Sequence, residues 1–79
     1  MKDRIIELLC EICEDDIVKH DLEVDLFEEG LLDSLGFAEL IYSIEEKFGV
    51  IISPSEIEQK DVNTPNKIIR MIMERAERE

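Results

Sequence analysis

Nine basic against 21 acidic side chains in 79 residues give a net charge of −12, which argues against nucleic acid or an anionic membrane surface as a partner and for basic patches on other proteins. At this length a single domain with a small core is expected. The chain is 44% hydrophobic and 38% charged, with three Phe, one Tyr and no Trp, so the core should be aliphatic and the chain folded rather than disordered.

Residues 2 to about 15 carry Ile5, Leu8, Leu9 and Ile12 at the spacing of an amphipathic helix, with Asp3, Glu7, Glu11 and Glu14 on the other side. Glu7 and Glu11 interrupt the apolar stretch, so this segment does not read as a signal peptide. No apolar run approaches the ~20 residues that cross a bilayer. A soluble, cytoplasmic chain is expected. Cys10 and Cys13 form a Cys-x-x-Cys, but no second pair exists and His20 is the only histidine. They read as reduced core or boundary residues rather than as a redox or zinc site, and no metal site is expected. Ile17 and Val18 are expected to pack just beyond the helix end.

Residues 17 to 33 show no sustained period and read as one long loop, of the kind that is functional or well packed. Leu22, Val24, Leu26, Phe27, Leu31 and Leu32 are its candidate anchors. Asp21, Glu23 and Asp25 are similar to the first half of a calcium-binding EF-hand loop, yet Leu26 stands at the obligatory glycine and Leu32 at the bidentate acid. A built calcium site is therefore not supported.

A helix is predicted from Asp33 or Ser34, both good N-caps, to about Phe48, with Phe37, Leu40, Ile41, Ile44 and Phe48 on one face and Gly49 as its stop. Val50 to Ser53 should be extended without joining a sheet. Ser53-Pro54-Ser55-Glu56 predicts a short helix over residues 54 to 59. Thr64-Pro65 opens a last helix to about Arg78, with Ile68, Ile69, Ile72 and Ala76 as its stripe and Glu74–Arg78 and Arg75–Glu79 as charge pairs. The expected fold is all-α: a small bundle of three long helices and one short one, with a long loop after the first.

Between Lys19 and Lys47 there is no Lys or Arg, while nine acids fall there: Asp21, Glu23, Asp25, Glu28, Glu29, Asp33, Glu39, Glu45 and Glu46. That distribution reads as a docking surface rather than a solvated face. Ser34 lies inside it. A serine needs a base to become a nucleophile, and Gly30-x-x-x-Ser34 does not match a nucleophile elbow. Physics alone leaves Ser34 as a plain helix cap or as a site whose chemistry comes from elsewhere.

Asp33-Ser34-Leu35, preceded by Asp25-Leu26-Phe27-x-x-Gly30-Leu31-Leu32 and followed by Glu39-Leu40-x-x-x-Ile44-Glu45, resembles the phosphopantetheine attachment region of acyl carrier proteins. Within that family, Asp33-Ser34-Leu35-Gly36-x-x-Glu39-Leu40-Ile41 and Asn63-Thr64-x-Asn66-Lys67-Ile68-Ile69 are most similar to the D-alanyl carrier group. The resemblance implies a single carrier domain over residues 1–79, an acyl-carrier-like bundle, and a covalent 4′-phosphopantetheine on Ser34. It implies no catalytic residues of its own, and partner docking through Asp33, Leu35, Glu39, Glu45 and Glu46. The implied partners are a holo-acyl-carrier-protein synthase, a D-alanine ligase and a membrane-bound O-acyltransferase. The cargo would be D-alanine held as a thioester for D-alanylation of teichoic acid, on a carrier expected to be a monomer. The alternatives are a carrier for fatty or other acyl groups, or a small acidic interaction module without a prosthetic group.

Overall fold

The computed structural model describes residues 2–78. The first helix, α1 (Lys2–Cys13), packs against the other three: α2 (Ile17–His20), α3 (Ser34–Phe48) and α4 (Pro65–Arg78). Ile5, Leu8 and Leu9 of α1 are buried against Leu40, Ile41 and Ile44 of α3 and Ile68, Ile69 and Ile72 of α4, within one continuous core. These are the apolar stripes read from the 3.6-residue period, and they hold the three long helices together by excluding water. Arg4 of α1 lies 5.3 Å from the ring centre of Phe48, while Ile12 lies beside Gly36. The two helices therefore run antiparallel, and the start of α3 rests on the end of α1.

Helix α1 stops at Cys13, two residues before the predicted end, because Glu14 takes a left-handed conformation with φ 55°. The loop expected over residues 17 to 33 begins with the four-residue α2. The Asp15 carboxylate accepts the Ile17 N–H at 2.9 Å, and the turn lowers Val18 fully into the core. Ile17, expected to pack with it, is instead 37% exposed. The rest of the loop is pinned by Leu26 and Leu32, both buried, with Val24, Phe27 and Leu31 half-buried beside them. Phe27 meets Phe37 of α3 edge-on, with 5.9 Å between ring centres.

Helix α3 ends as predicted: Gly49 takes φ 69° and returns its N–H to the Glu45 carbonyl at 3.0 Å. After it, Val50 and Ile52 are buried and Ile51 is exposed, the alternation of an extended segment, and no strand forms among the described residues. The short helix expected over 54 to 59 is two 3-10 turns, Pro54–Glu56 and Gln59–Asp61. Ile57 breaks it by going extended, φ −125° and ψ 148°, to pack its side chain on the core. Ser53 does not cap; its hydroxyl bonds Ser55 at 2.9 Å.

Thr64 does cap α4, accepting the Lys67 N–H at 3.2 Å. The side chains of Arg78 and Glu79, and with them the two charge pairs predicted at the end of α4, lie outside the described residues. Arg75 reaches Glu56 of the first 3-10 turn at 3.3 Å.

Candidate functional site

Ser34 is the first residue of α3, and its neighbour decides what its hydroxyl does. Asp33 adopts extended angles, φ −116° and ψ −174°, and its Oδ1 accepts the Gly36 N–H at 2.7 Å. Its carbonyl takes the Phe37 N–H at 2.8 Å. Sequence alone allowed either residue as the cap. The carboxylate takes the role because an ionised acceptor at the positive end of a helix dipole is stronger than a hydroxyl. Ser34 is thereby left exposed, and its side chain makes no hydrogen bond among the described residues. Leu35 beside it is 79% exposed.

The turn before Asp33 is held from within the loop. Gly30 has φ 71°, which a glycine adopts without strain. The Leu26 carbonyl accepts both the Leu31 and Leu32 N–H groups, at 2.9 and 3.0 Å. Gly36 is small for a reason other than backbone freedom. A Cβ there would lie 3.1 Å from a Leu32 methyl and 3.3 Å from Asp33 Oδ1.

The acids divide into two sets. Asp21 accepts the Glu23 N–H at 3.0 Å, and Asp25 accepts those of Phe27 and Glu28 at 3.1 and 2.9 Å. The other Asp25 oxygen accepts from the Asn63 amide at 2.8 Å, and Glu23 accepts from the Asn66 amide. The Glu28 N–H, followed by the Asn63 amide and the Phe27 N–H, favours the charged form and holds the Asp25 carboxyl below the usual range. The three acids that resembled half of a calcium loop thus fasten the loop to itself and to the start of α4. Among the described residues, no group of three or more His, Cys, Asp or Glu is placed to hold a metal ion.

Glu39, Glu45 and Glu46 stay on the surface of α3. At helical spacing Leu35, Glu39, Tyr42 and Glu46 share one outward face, with Glu45 to its side. Tyr42 is 63% exposed, and its hydroxyl donates to Glu46 at 3.0 Å. Sequence reading passed it over, although its position seven residues after Leu35 places it opposite the Leu40, Ile41 and Ile44 stripe. Glu39 also borders a groove with Leu8, Ile12, Glu14 and Ser43, across which Glu11 and Lys47 pair at 3.7 Å.

His20 ends α2, exposed, and no hydrogen bond joins it to Ser34 among the described residues. Cys10 and Cys13 are free and partly buried. Burial pushes the Cys13 thiol up to about 11 and raises that of Cys10 as well. Both are neutral at physiological pH and unsuited to nucleophilic or metal chemistry.

The family described as "Phosphopantetheine attachment site" matches residues 3–72. The D-alanyl carrier protein of Abiotrophia defectiva is 40% identical over 76 residues, covering 96% of each chain. That of Bacillus subtilis (strain 168) is 41% identical over 73 residues, covering 92% of this chain and 94% of that protein. That of Bacillus licheniformis is 41% identical over 70 residues, 89% and 90% of the two chains. An acidic chain with four α-helices and an unengaged serine at a helix start among its described residues, matched over most of its length by these proteins, belongs to the phosphopantetheine-attachment family of carrier proteins, in its D-alanyl carrier group.

Proposed function

We propose that the whole chain acts as one carrier domain, that Ser34 is the point at which 4′-phosphopantetheine is attached, and that the cargo is D-alanine destined for teichoic acid. The observation that carries this reading is the exposed, unengaged hydroxyl of Ser34, released from capping by Asp33. The other three serines offer less. Ser43 is half-buried within α3, and Ser53 and Ser55 are bonded to each other at 2.9 Å.

When attached, the prosthetic arm supplies the thiol on which the aminoacyl group is held as a thioester. The chain's own residues present the hydroxyl and hold it on a stiff base. The first N–H groups of α3 offer the attached phosphate a favourable dipole. The base and the magnesium for attachment are supplied by the holo-synthase. Asp33, Leu35, Glu39, Glu45 and Glu46 form the surface that meets the synthase, a D-alanine ligase and a membrane-bound O-acyltransferase. Opposite charge speeds such encounters, and a tethered cargo makes weak docking sufficient. Among the described residues no helix is long and apolar enough to cross a membrane.

Intact-mass measurement after incubation with coenzyme A and a holo-synthase tests the reading. Addition of one phosphopantetheine, abolished by Ser34→Ala, is expected. Addition that survives Ser34→Ala, or none to the native chain, refutes it. Charging of the modified protein by an ATP-dependent D-alanine ligase, and not by a fatty-acyl ligase, is the expected cargo result.

A further inference from the structure

The segment Asn63-Thr64-Pro65-Asn66, at the start of α4, touches the loop that leads to Ser34. The Asn63 amide donates to Asp25 at 2.8 Å, and the Asn63 carbonyl accepts the Leu26 N–H at 2.7 Å. The Asn66 N–H donates to the Leu22 carbonyl at 3.0 Å, and the Asn66 amide donates to Glu23. Two asparagines at the start of α4 therefore grip residues 22 to 26 through both backbone and side chains. Beyond the grip the linkage continues. Leu26 gives its carbonyl to Leu31 and Leu32, and Leu32 packs against Gly36 in the first turn of α3.

The geometry points to Asn63 as a positioning residue for Ser34: through Asp25 and Leu26 it holds the turn that ends in Asp33, and so fixes where the serine is presented to the enzyme that modifies it. This rests on the reading of Ser34 as the attachment point. Asn63 is suited to the task because its amide nitrogen is committed to Asp25 while its own carbonyl holds the Leu26 N–H, so one residue fixes both a side chain and the backbone of the loop. With the grip lost, the Ser34 turn samples more arrangements, and the fraction competent to dock falls. Apparent affinity falls by that fraction, while the docked complex reacts as before. The effect therefore belongs in KM rather than kcat.

Asn63→Asp keeps the size of the side chain and sets a second carboxylate against Asp25. Combining it with Asp25→Asn restores one amide facing one carboxylate, and the amide oxygen then at position 25 can still accept the Phe27 and Glu28 N–H groups. Thr64→Ala removes the neighbouring cap of α4 and leaves the grip intact. With coenzyme A and a holo-synthase, Asn63→Asp should raise KM for the carrier by about fivefold, with kcat changed by less than about twofold. The double variant should return KM toward the native value, and Thr64→Ala should lower the melting temperature without moving KM. If Asn63→Asp does not fold, Asn63→Ala, which adds no charge, takes its place with the same expectation. An unchanged KM in a folded Asn63 variant, a double variant that does not recover, or an equal KM rise in Thr64→Ala overturns the assignment. Failure of the native chain to be modified overturns the reading of Ser34 instead, so the two failures are distinguishable.

Discussion

Gly36 sits in the first turn of α3 with an ordinary helical backbone, and replacing it by alanine sets two effects against each other. In a helix interior, alanine is favoured over glycine by about 1 kcal/mol. Against that, the new methyl would lie 3.1 Å from Leu32 Cδ1 and 3.3 Å from Asp33 Oδ1, with Ile12 Cγ2 at 3.9 Å. Leu32 is 3% exposed, so its methyl would have to give by a few tenths of an ångström inside the packed core. Asp33 Oδ1 is fixed by its 2.7 Å bond to the Gly36 N–H, the cap of the helix. Overpacking of this kind costs about 1–3 kcal/mol, and weakening the cap adds up to about 1. The net expectation for Gly36→Ala is a loss of roughly 1–2 kcal/mol, a fall in melting temperature of several degrees for a chain of this length. Thermal denaturation followed by circular dichroism measures it. Ala38→Gly, at an exposed position of the same helix, reports the propensity cost of about 1 kcal/mol by itself. A Gly36→Ala protein that melts higher than the native one would show that the first turn of α3 is not closely packed on Leu32. The account of how Ser34 is held would then fail with it.

Glu39→Lys combined with Glu45→Lys should slow modification and charging, with the difference shrinking as salt is added; equal rates at low salt would make these acids merely solvating. The Cys13 thiol, at about 11 against an ordinary 9.0, has a thiolate fraction at pH 8 on the order of 100-fold below that of a free thiol. Its alkylation should climb about tenfold per pH unit through pH 10, and a plateau near pH 9 would show it to be exposed. Because the raised value belongs to the folded state, the unfolded chain loses this proton first, and Cys13 should make stability fall between pH 9 and 11. Glu14→Gly should raise the melting temperature, since removing a left-handed penalty of about 1–2 kcal/mol outweighs the added chain entropy of about 0.5–1; no rise would mean that the Glu14 side chain makes up the difference.

The long helices were legible because each buries a stripe with one period: Ile5, Leu8 and Leu9, then Leu40, Ile41 and Ile44, then Ile68, Ile69 and Ile72. The punctuation at Gly49 and at Thr64-Pro65 was legible too, since it depends on neighbours only. What escaped depends on distant contacts. Four residues of α2 are too few to show a period, and the turn exists because Val18 must enter the core. Helix propensity carries α1 past Glu14, but the chain has to double back there. The proline signal at 54 starts a turn correctly, and Ile57 then ends it early by packing inward. At the site, sequence could not choose between Asp33 and Ser34 as the cap. Nor could it show what Asn63 and Asn66 do, because their partners lie 38 and 43 residues away.

That separation changes how the acidic run is to be understood. Counted along the sequence, nine acids surround Ser34. In the fold Asp21, Glu23 and Asp25 are occupied by hydrogen bonds within the loop and to α4, and Asp33 by its cap. Glu39 and Glu45 remain on the outer surface of α3, and Glu46 accepts there from the hydroxyl of the exposed Tyr42. Reversing Asp25 or Glu23 would therefore loosen the loop and mimic a docking defect while testing only structure. Reversing Glu39 or Glu45 leaves the loop intact, so those are the positions at which salt dependence tests the proposed docking. Ser34 lies where the two sets meet: one makes its place firm, and the other is free for the docking proposed for it.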